Sequence, residues 1–366
     1  MGENRETAVA IGGPGDIAMA VQKDGYVYIG NQGIEYWRRK AAPLARYTSC
    51  AMSDDATVLV AVTKPAPASL IGPQISKDGG SSFASFGNGS VSLKWNSVAC
   101  DSNCTHIAMV GSDGTGGGVL YVSLDQGTSG GFLATAPQQK KWVAVAMAAS
   151  GAPPQVLAAQ QDGSLYLFSS TAAAWDNVTE LTEAGTPRPW ASVTMSSNGN
   201  VIAASAGMGV LKVSRNGGAS FADLMPYLAL TYQAVALSGT GDKLFTSTAD
   251  GRVFSASYAS SVWTWTPALY NQVLLPISSL AVSNTATYAL GGGNAAGGSV
   301  FFRSAFGYTS FEVASERDAE VPPTPTPAYD DDDDSGATQL LGSGASRWLG
   351  MTMALLWAAY WMVESI

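Results

Sequence analysis

One short pattern recurs seven times along this chain. In six of the copies an aromatic or apolar residue opens a strand of small apolar residues, and in the first copy a glutamate stands there; two more strands follow after polar turns. The openings fall at Glu6, Tyr47, Trp95, Trp142, Trp190, Tyr232 and Ile277. The matching third-strand positions fall at Tyr28, Gln74, Tyr121, Tyr166, Lys212, Phe254 and Phe302. Neighbours in either series lie about 41 to 48 residues apart, a spacing typical of four-stranded repeat units.

This period predicts an all-β fold, a seven-bladed β-propeller of four-stranded antiparallel blades. First strands such as Trp142-Val-Ala-Val-Ala are small because innermost strands crowd around a common axis, while the aromatic residue packs between blades. Only 13% of residues are charged and 41 are glycine, which suits many short strands joined by tight turns. An ordinary β-sandwich would not explain a fixed period over seven units. The connections Lys64–Gly72 and Gly291–Ser299 are expected to be long and irregular.

Composition predicts three segments. Residues 1–315 would form the propeller, residues 316–347 a disordered stalk and spacer, and residues 348–366 a hydrophobic C-terminal tail. The stalk is rich in proline and threonine and contains the aspartate run Asp330–Asp334. Proline and like charges keep such a segment extended. The tail is expected to be helical.

The C-terminal tail predicts a location at the cell surface. Small residues from Ser335, a spacer and the apolar run Trp348–Val363 match the layout of a GPI signal with attachment at Ser335. A short transmembrane anchor is the alternative. The start, Met1–Thr7, has no apolar core of a secretory leader, so we expect a truncated N-terminus, or else a tail-anchored cytosolic protein. Sequons at Asn88, Asn103 and Asn177 are compatible with N-glycosylation.

Cysteine spacing predicts one hairpin disulfide. Cys100 and Cys104 flank the turn between a first and a second strand, where antiparallel pairing brings Cβ atoms within bridging reach. Two free thiols in a reducing compartment are the alternative. Cys50 occupies the slot of Val98 and is expected to be a buried free cysteine. No metal is expected, because one histidine, His106, lies near this cysteine pair and the chain has no second pair to complete a zinc site. No cofactor is expected either.

A second motif follows several third strands. The segments Ser76–Phe83 and Ser214–Phe221 both read Ser-x-Asp/Asn-x-Gly-x-Ser-aromatic, and Ser123–Ser129 repeats the pattern without the aromatic residue. Asp or Asn accepts hydrogen bonds from turn amides, glycine takes the left-handed conformation, and the aromatic residue packs under the hairpin. The defining residues are Ser76, Asp78, Gly80, Phe83, Ser123, Asp125, Gly127, Ser214, Asn216, Gly218 and Phe221.

These segments resemble the Asp-box, or BNR, repeats of propellers in sialidases, sortilin-type receptors, some endoglucanases and photosystem II assembly factors. The resemblance to this WD40/YVTN/BNR-like superfamily covers about Glu6 to Ala314. It implies that the boxes lie in outer hairpins, on the face opposite the usual ligand site. It confers no function by itself.

Residues that could carry function are sparse. No arginine cluster of the sialidase kind is recognisable, and acids such as Asp24 and Asp250 recur at equivalent turns. We therefore expect a non-catalytic recognition or adhesion module, a monomer that binds a glycan or a surface protein. The candidate ligand residues are Trp37, Arg38, Arg39, Lys140, Lys141, Tyr227 and Tyr270. A glycoside hydrolase and a photosystem II-type assembly factor remain alternatives. Nucleic acid is not expected as a partner, because no basic stripe with interleaved aromatics is present.

Overall fold

The computed structural model describes most of the first 313 residues. The described ranges are 7–31, 36–64, 71–86, 93–113, 115, 117–129, 131–132, 141–151, 154–161, 163–169, 177–181, 188–207, 209–224, 230–266, 269–270, 276–295, 298–305 and 312–313. Within these ranges the chain contains strands and no helix, so no described helix is long and apolar enough to span a membrane. The all-β prediction is confirmed for this part of the chain.

The strands form seven antiparallel sheets, numbered here 1 to 7 in chain order. The first strands are β1 (Thr7–Ile11), β5 (Tyr47–Met52), β9 (Lys94–Cys100), β13 (Trp142–Met147), β17 (Trp190–Met195), β21 (Tyr232–Leu237) and β26 (Ile277–Val282). The second strands are β2 (Ala18–Gln22), β6 (Leu59–Thr63), β10 (Ile107–Ser112), β14 (Val156–Gln160), β18 (Ile202–Ala206), β22 (Lys243–Thr248) and β27 (Tyr288–Ala295).

The third strands are β3 (Val27–Asn31), β7 (Gln74–Ser76), β11 (Gly118–Ser123), β15 (Leu165–Ser169), β19 (Val210–Ser214), β23 (Arg252–Ala259) and β28 (Gly298–Ala305). The fourth strands are β4 (Tyr36–Arg39), β8 (Ala84–Ser85), β12 (Gly131–Phe132), β16 (Asn177–Glu180), β20 (Ala222–Asp223), β24 (Val262–Trp265) and β29 (Glu312–Val313). An extra strand, β25 (Leu269–Tyr270), pairs with β23 in sheet 6.

Strand pairing follows the repeat register. In sheet 1, Tyr28 pairs with Ala20, and Ala20 pairs with Val9. The same three-strand row recurs in the other sheets; in sheet 2 it places Cys50 opposite Ala61, the slot that Val98 takes in sheet 3. Cys50 is buried and free, and burial raises the pKa of its thiol. The four-stranded antiparallel repeat is therefore confirmed.

The seven first strands close into a ring. Each contacts the first strand of the next sheet, and β26 contacts β1. The closing contact uses a hydrogen bond that recurs around the ring, since Val9 N donates to Ser279 Oγ at 3.2 Å. The equivalent bonds are Val98 N to Ser49 Oγ, Val145 N to Ser97 Oγ and Val235 N to Ser192 Oγ, at 3.2 to 3.3 Å. Each sheet takes its four strands from one stretch of chain, so closure depends on contacts between sheets.

A belt of backbone hydrogen bonds links the turns between first and second strands. The bonds run from Asp54 N to Ser102 O, Ser102 N to Ala149 O, Ser150 N to Ser197 O, Ser197 N to Gly239 O, Gly239 N to Asn284 O and Asn284 N to Gly13 O, at 2.7 to 3.1 Å. The fourth residue of each turn has positive φ: Gly15, Ala56, Cys104, Gly151, Gly199, Gly241 and Ala286. The belt tightens one end of the ring.

The two ends of the ring carry different connections. The turns between third and fourth strands lie beside the belt, since Gly79 N donates to Thr57 O and Gly217 N to Asn200 O. We call this the Asp-box end. At the other end, the turns between second and third strands meet the starts of the first strands, as in the bond from Lys64 N to Arg46 O at 2.9 Å. We call it the entry end.

The core lies between neighbouring sheets. The aromatic residues that open the first strands are at most 4% exposed in sheets 2 to 6. Trp142, for example, packs against Val110 of sheet 3 and Phe168 of its own sheet. Aromatic burial of this kind is the main favourable term holding neighbouring sheets together.

One expected loop is instead a hairpin. The prediction of a long irregular connection over Gly291–Ser299 is wrong, because Asn294 pairs with Ser299 and Ala295 with Gly298. Glycine allows this close packing: a Cβ atom at Gly291 would lie 3.0 Å from Ile277 Cγ2. The ring belongs to a unit that spans Met1–Ala319. The predicted stalk, tail and attachment site at Ser335 lie outside the described residues.

Candidate functional site

The three Asp-box segments form nearly identical turns. In the first, Ser76 Oγ accepts a hydrogen bond from Gly80 N at 2.8 Å, and Asp78 Oδ1 accepts one from Ser82 N at 2.9 Å. The second repeats these bonds with Ser123, Asp125, Gly127 and Ser129, and the third with Ser214, Asn216, Gly218 and Ser220. The side chains of each box therefore bind their own turn.

Each Asp-box glycine also contacts the previous sheet. Gly80, Gly127 and Gly218 have φ of 86°, 74° and 92°, values that disfavour other residues. A Cβ atom would lie 3.0 Å from Lys40 Cδ at Gly80, 2.8 Å from Phe86 Cδ2 at Gly127 and 2.9 Å from Leu181 Cδ2 at Gly218. The closing aromatics Phe83 and Phe221 pack against the same inter-sheet clusters. The boxes thus join neighbouring sheets.

The turn of sheet 3 contains the cysteine pair and the histidine. Cys100 and Cys104 form a disulfide with a Cα–Cα distance of 4.8 Å. His106 precedes β10 rather than lying in it, and its Nδ1 is 2.6 Å from Asp101 Oδ2. Asn103 is exposed in this turn, at the Asp-box end, while Asn177 begins β16 and Asn88 lies outside the described residues.

The predicted ligand residues are not all on a surface. Trp37 is 1% exposed, because β4 pairs it with Gly30 and its ring lies over that glycine. Its indole is therefore a core group, unlike the surface position expected from the sequence. Arg38, Arg39 and Lys141 are exposed. Lys140 and Tyr227 lie outside the described residues, and Tyr270 lies in β25, where its side chain is not described.

A set of basic residues follows the register at the entry end. Arg46, Lys94 and Lys141 each directly precede the opening aromatic of a first strand, and Arg188 precedes Trp190 by two residues. We call these four the cationic arc. Lys94 and Lys141 are exposed, and the two arginines are half-buried. Sequence reasoning found Lys141 and missed the other three, although the signal was a basic residue beside the aromatic column.

Neighbouring members of the arc lie at the starts of adjacent first strands. Thr48 Oγ1 donates to Trp95 O at 2.9 Å, and Asn96 Nδ2 donates to Trp142 O at 2.6 Å, so the starts of β5, β9 and β13 are joined. Thr48 and Asn96 occupy bulges, where the register with the second strand shifts by one residue. Bulges are common where a strand turns a side chain toward a functional site.

The arc has no acidic partner among the described residues. The ion pairs there are His106–Asp101, Lys212–Asp223 and Arg252–Asp250, and none includes a member of the arc. Backbone bonds nevertheless fix the chain at these positions, since Gln161 N donates to Lys141 O and Arg188 N to Gly163 O. The arrangement is a set of basic side chains on a rigid frame, suited to binding an acidic partner.

Most described carboxylates of the entry end bind within their own sheet. Asp113 Oδ1 accepts hydrogen bonds from Thr115 N at 2.8 Å and Gly117 N at 3.0 Å. Glu180 binds the hydroxyl of Ser164. Asp250 binds Arg252, and this bond lowers its pKa to about 2. Among the described residues, no group of three or more His, Cys, Asp or Glu could hold a metal ion.

Comparisons with known proteins identify the fold. No family model and no curated protein matches this sequence. Among solved structures, the chain is similar to YCF48 from Cyanidioschyzon merolae, with 15% identity, a TM-score of 0.58, and coverage of 82% of this chain and 95% of that one. It is also similar to the Cps50 (Swd1) β-propeller domain from Myceliophteria thermophila, with 14% identity, a TM-score of 0.59, and coverage of 79% and 93%.

The chain folds as a β-propeller. At these identities the likeness concerns the fold alone, and function must be argued from the surface of the propeller. The entry end is the surface on which we base the functional argument, because four sheets in succession carry a basic residue there.

Proposed function

We propose that this chain is a non-catalytic recognition module that binds an acidic protein or glycan at the entry end of a seven-bladed propeller. The observation that carries the proposal is the cationic arc, defined above as Arg46, Lys94, Lys141 and Arg188. Four consecutive sheets carry a positive charge at or next to the residue before the opening aromatic, on a fixed backbone and without an ion pair to a described carboxylate. Such a patch favours an acidic partner and speeds its approach.

The expected location at the cell surface is part of this proposal. The C-terminal segment, with Ser335 as the GPI attachment site or with a short transmembrane anchor, would hold the propeller at the cell surface. The disulfide Cys100–Cys104 supports passage through an oxidising compartment. An exposed Asn103 would carry a glycan at the Asp-box end and leave the entry end open.

The hydrolase alternative has less support. A glycosidase needs two carboxyl groups that face each other across a sugar. Three of the described entry-end carboxylates, Asp113, Glu180 and Asp250, are instead held by their own sheets. This favours binding over hydrolysis.

Charge reversal tests the proposal. Poly-L-glutamate serves as the acidic probe, and its binding to the full chain is measured at low and at physiological salt. We expect the double variant Lys94→Glu and Lys141→Glu to weaken binding about tenfold or more at low salt, because two exposed cations of the arc become repulsive. The effect should shrink as salt rises.

Lys77→Glu is the matched control, since Lys77 is an exposed lysine at the Asp-box end. It should change binding less than twofold. The control changes the net charge by half as much as the double variant, so a loss for the control that is half of the arc variant's on a logarithmic scale, or more, would mean that the probe responds to net charge alone, and the proposed site would be wrong.

A further inference from the structure

A small apolar patch adjoins the cationic arc. Large hydrophobic side chains are exposed at three described positions: Leu44 at 54%, Leu124 at 38% and Val262 at 60%. Leu124 and Val262 lie where third strands join fourth strands, at the Asp-box end. Leu44 lies in the connection from β4 to β5, two residues before Arg46, and is the exposed large hydrophobic residue that the structure describes at the entry end.

The Leu44 segment is held at both sides. Tyr47 Oη donates to Pro43 O at 2.7 Å. Gly25 and Ala45 exchange backbone hydrogen bonds of 3.1 and 3.2 Å in an isolated antiparallel bridge, and Tyr26 and Leu44 are the chain neighbours of these two residues. The leucine is therefore presented on fixed backbone, which reduces the entropy lost when a partner binds.

A guanidinium group completes the patch. The Arg39 Cζ atom lies 4.1 Å from the centre of the Tyr26 ring, and Arg39 is exposed. Stacking on the ring leaves the edge of the guanidinium free to donate paired hydrogen bonds to a carboxylate. Tyrosine and arginine beside an apolar side chain are the residue types that dominate binding energy at protein interfaces.

The local charges are mostly positive. Arg39 and Arg46 flank the patch, and Asp24 lies beside the bridge between Gly25 and Ala45, as Arg46 does. No described ion pair joins Asp24 to Arg46. A partner would therefore meet an apolar spot bordered by cations.

We propose that Tyr26, Leu44 and Arg39 form an anchor for an acidic peptide segment that carries an apolar side chain. The apolar side chain packs on Leu44 and Tyr26, neighbouring carboxylates bind Arg39 and Arg46, and the rest of the segment follows the arc toward Lys94. This inference rests on the proposed function and names its partner class. A polyanionic glycan would use the arc but offers no apolar side chain to Leu44.

The test uses two labelled peptides that differ at one position. One has glutamates around a central phenylalanine, and the other has serine at that place. Fluorescence anisotropy with the full chain should show the phenylalanine peptide binding about five- to tenfold more tightly, because its ring is removed from water on the patch. Leu44→Ser should abolish this difference and leave the affinity for the serine peptide unchanged.

Val262→Ser is the matched control, because Val262 is equally exposed at the other end. It should preserve the preference for phenylalanine. Equal affinity of the two peptides for the unmodified chain, or a preference that survives Leu44→Ser, would overturn the inference. If the arc variant still weakens both peptides in that case, the proposed function stands without the anchor. If neither peptide binds the unmodified chain, both proposals are wrong.

Discussion

At the residue scale, two adjacent aspartates show how the surroundings of a carboxyl group shift its pKa in opposite directions. Asp54 lies in the belt, where its carboxylate accepts hydrogen bonds from Asn284 Nδ2 at 3.1 and 3.2 Å and lies against Gly13. Burial raises the pKa of Asp54. Asp55 is exposed, and hydrogen bonds from Ser53 and Thr57 lower its pKa. Asp54 links sheet 7 to sheet 2 across the glycine turn of sheet 1.

The two aspartates should respond oppositely to pH. A raised folded pKa means that the folded state binds the proton more tightly than the unfolded chain, so stability is lost as pH rises through the folded pKa of Asp54. Asp54→Asn cannot ionise and avoids that loss. We therefore compare the melting temperature of the variant with that of the unmodified chain at each pH. We expect this difference, variant minus unmodified, to be more positive at pH 7 than at pH 3.

Asp55→Asn supplies the control with the opposite sign. The pKa of Asp55 in the folded chain is below its unfolded value of 3.8, so the ionised carboxylate contributes stability above pH 3.8. That contribution is lost as the pH falls through the folded pKa. Asp55→Asn should therefore be less stable than the unmodified chain at pH 7, with a smaller difference at pH 3. Thermal melts of both variants at both pH values check this, and the same trend for both would contradict the account.

At the element scale, the Asp78 side chain makes several of the hydrogen bonds that hold the first Asp-box hairpin. Hydrogen bonds from Ser82 and Ser76 lower the pKa of Asp78 to about 2, and the two oxygens of the carboxylate bind Ser82 N and Oγ. In sheet 5 the same place is taken by Asn216, whose Oδ1 accepts from Ser220 N at 2.9 Å and whose Nδ2 donates to Ser220 Oγ at 2.8 Å. The chain itself thus shows that an amide can replace the carboxylate.

Substitution at Asp78 tests this equivalence. Asp78→Ala removes the acceptors of the turn and should lower the melting temperature at pH 7 by roughly 2 °C or more. Asp78→Asn should keep most of the turn and lower it less. The result that would contradict the account is an equal loss for alanine and asparagine, measured by thermal unfolding.

The sequence predicts strands and turns well where the same residue types recur at a regular distance. The period placed Val98, Tyr121 and their equivalents in one row because small strands and polar turns return at a near-constant distance. It failed for Trp37, since only the pairing of β4 with Gly30 decides that this ring faces the core. Arg46, Lys94 and Arg188 were missed because one basic residue beside an aromatic is uninformative by itself, and its recurrence becomes visible only when the first strands are aligned side by side.

At the scale of the whole molecule, the two ends of the ring differ in charge. The described acids of the Asp-box end are Asp16, Asp54, Asp55, Asp78, Asp101, Asp125 and Asp242. The described bases of that end include Lys77, Arg215 and Lys243. The entry end carries the cationic arc and Arg39, together with the carboxylates Asp24, Asp113, Glu180 and Asp250, of which Asp250 is paired with Arg252. We therefore expect an acidic partner to be attracted to the entry end and repelled from the Asp-box end.

Hydrogen exchange of the full chain, with and without bound poly-L-glutamate, tests this polarity most directly. We predict slower exchange at the entry end, over residues 40–48, 93–97 and 141–145, where the partner covers the starts of the first strands. The turns of the Asp-box end, residues 53–58 and 76–82, should exchange at unchanged rates. Protection of those turns, with none at the entry end, would contradict the account.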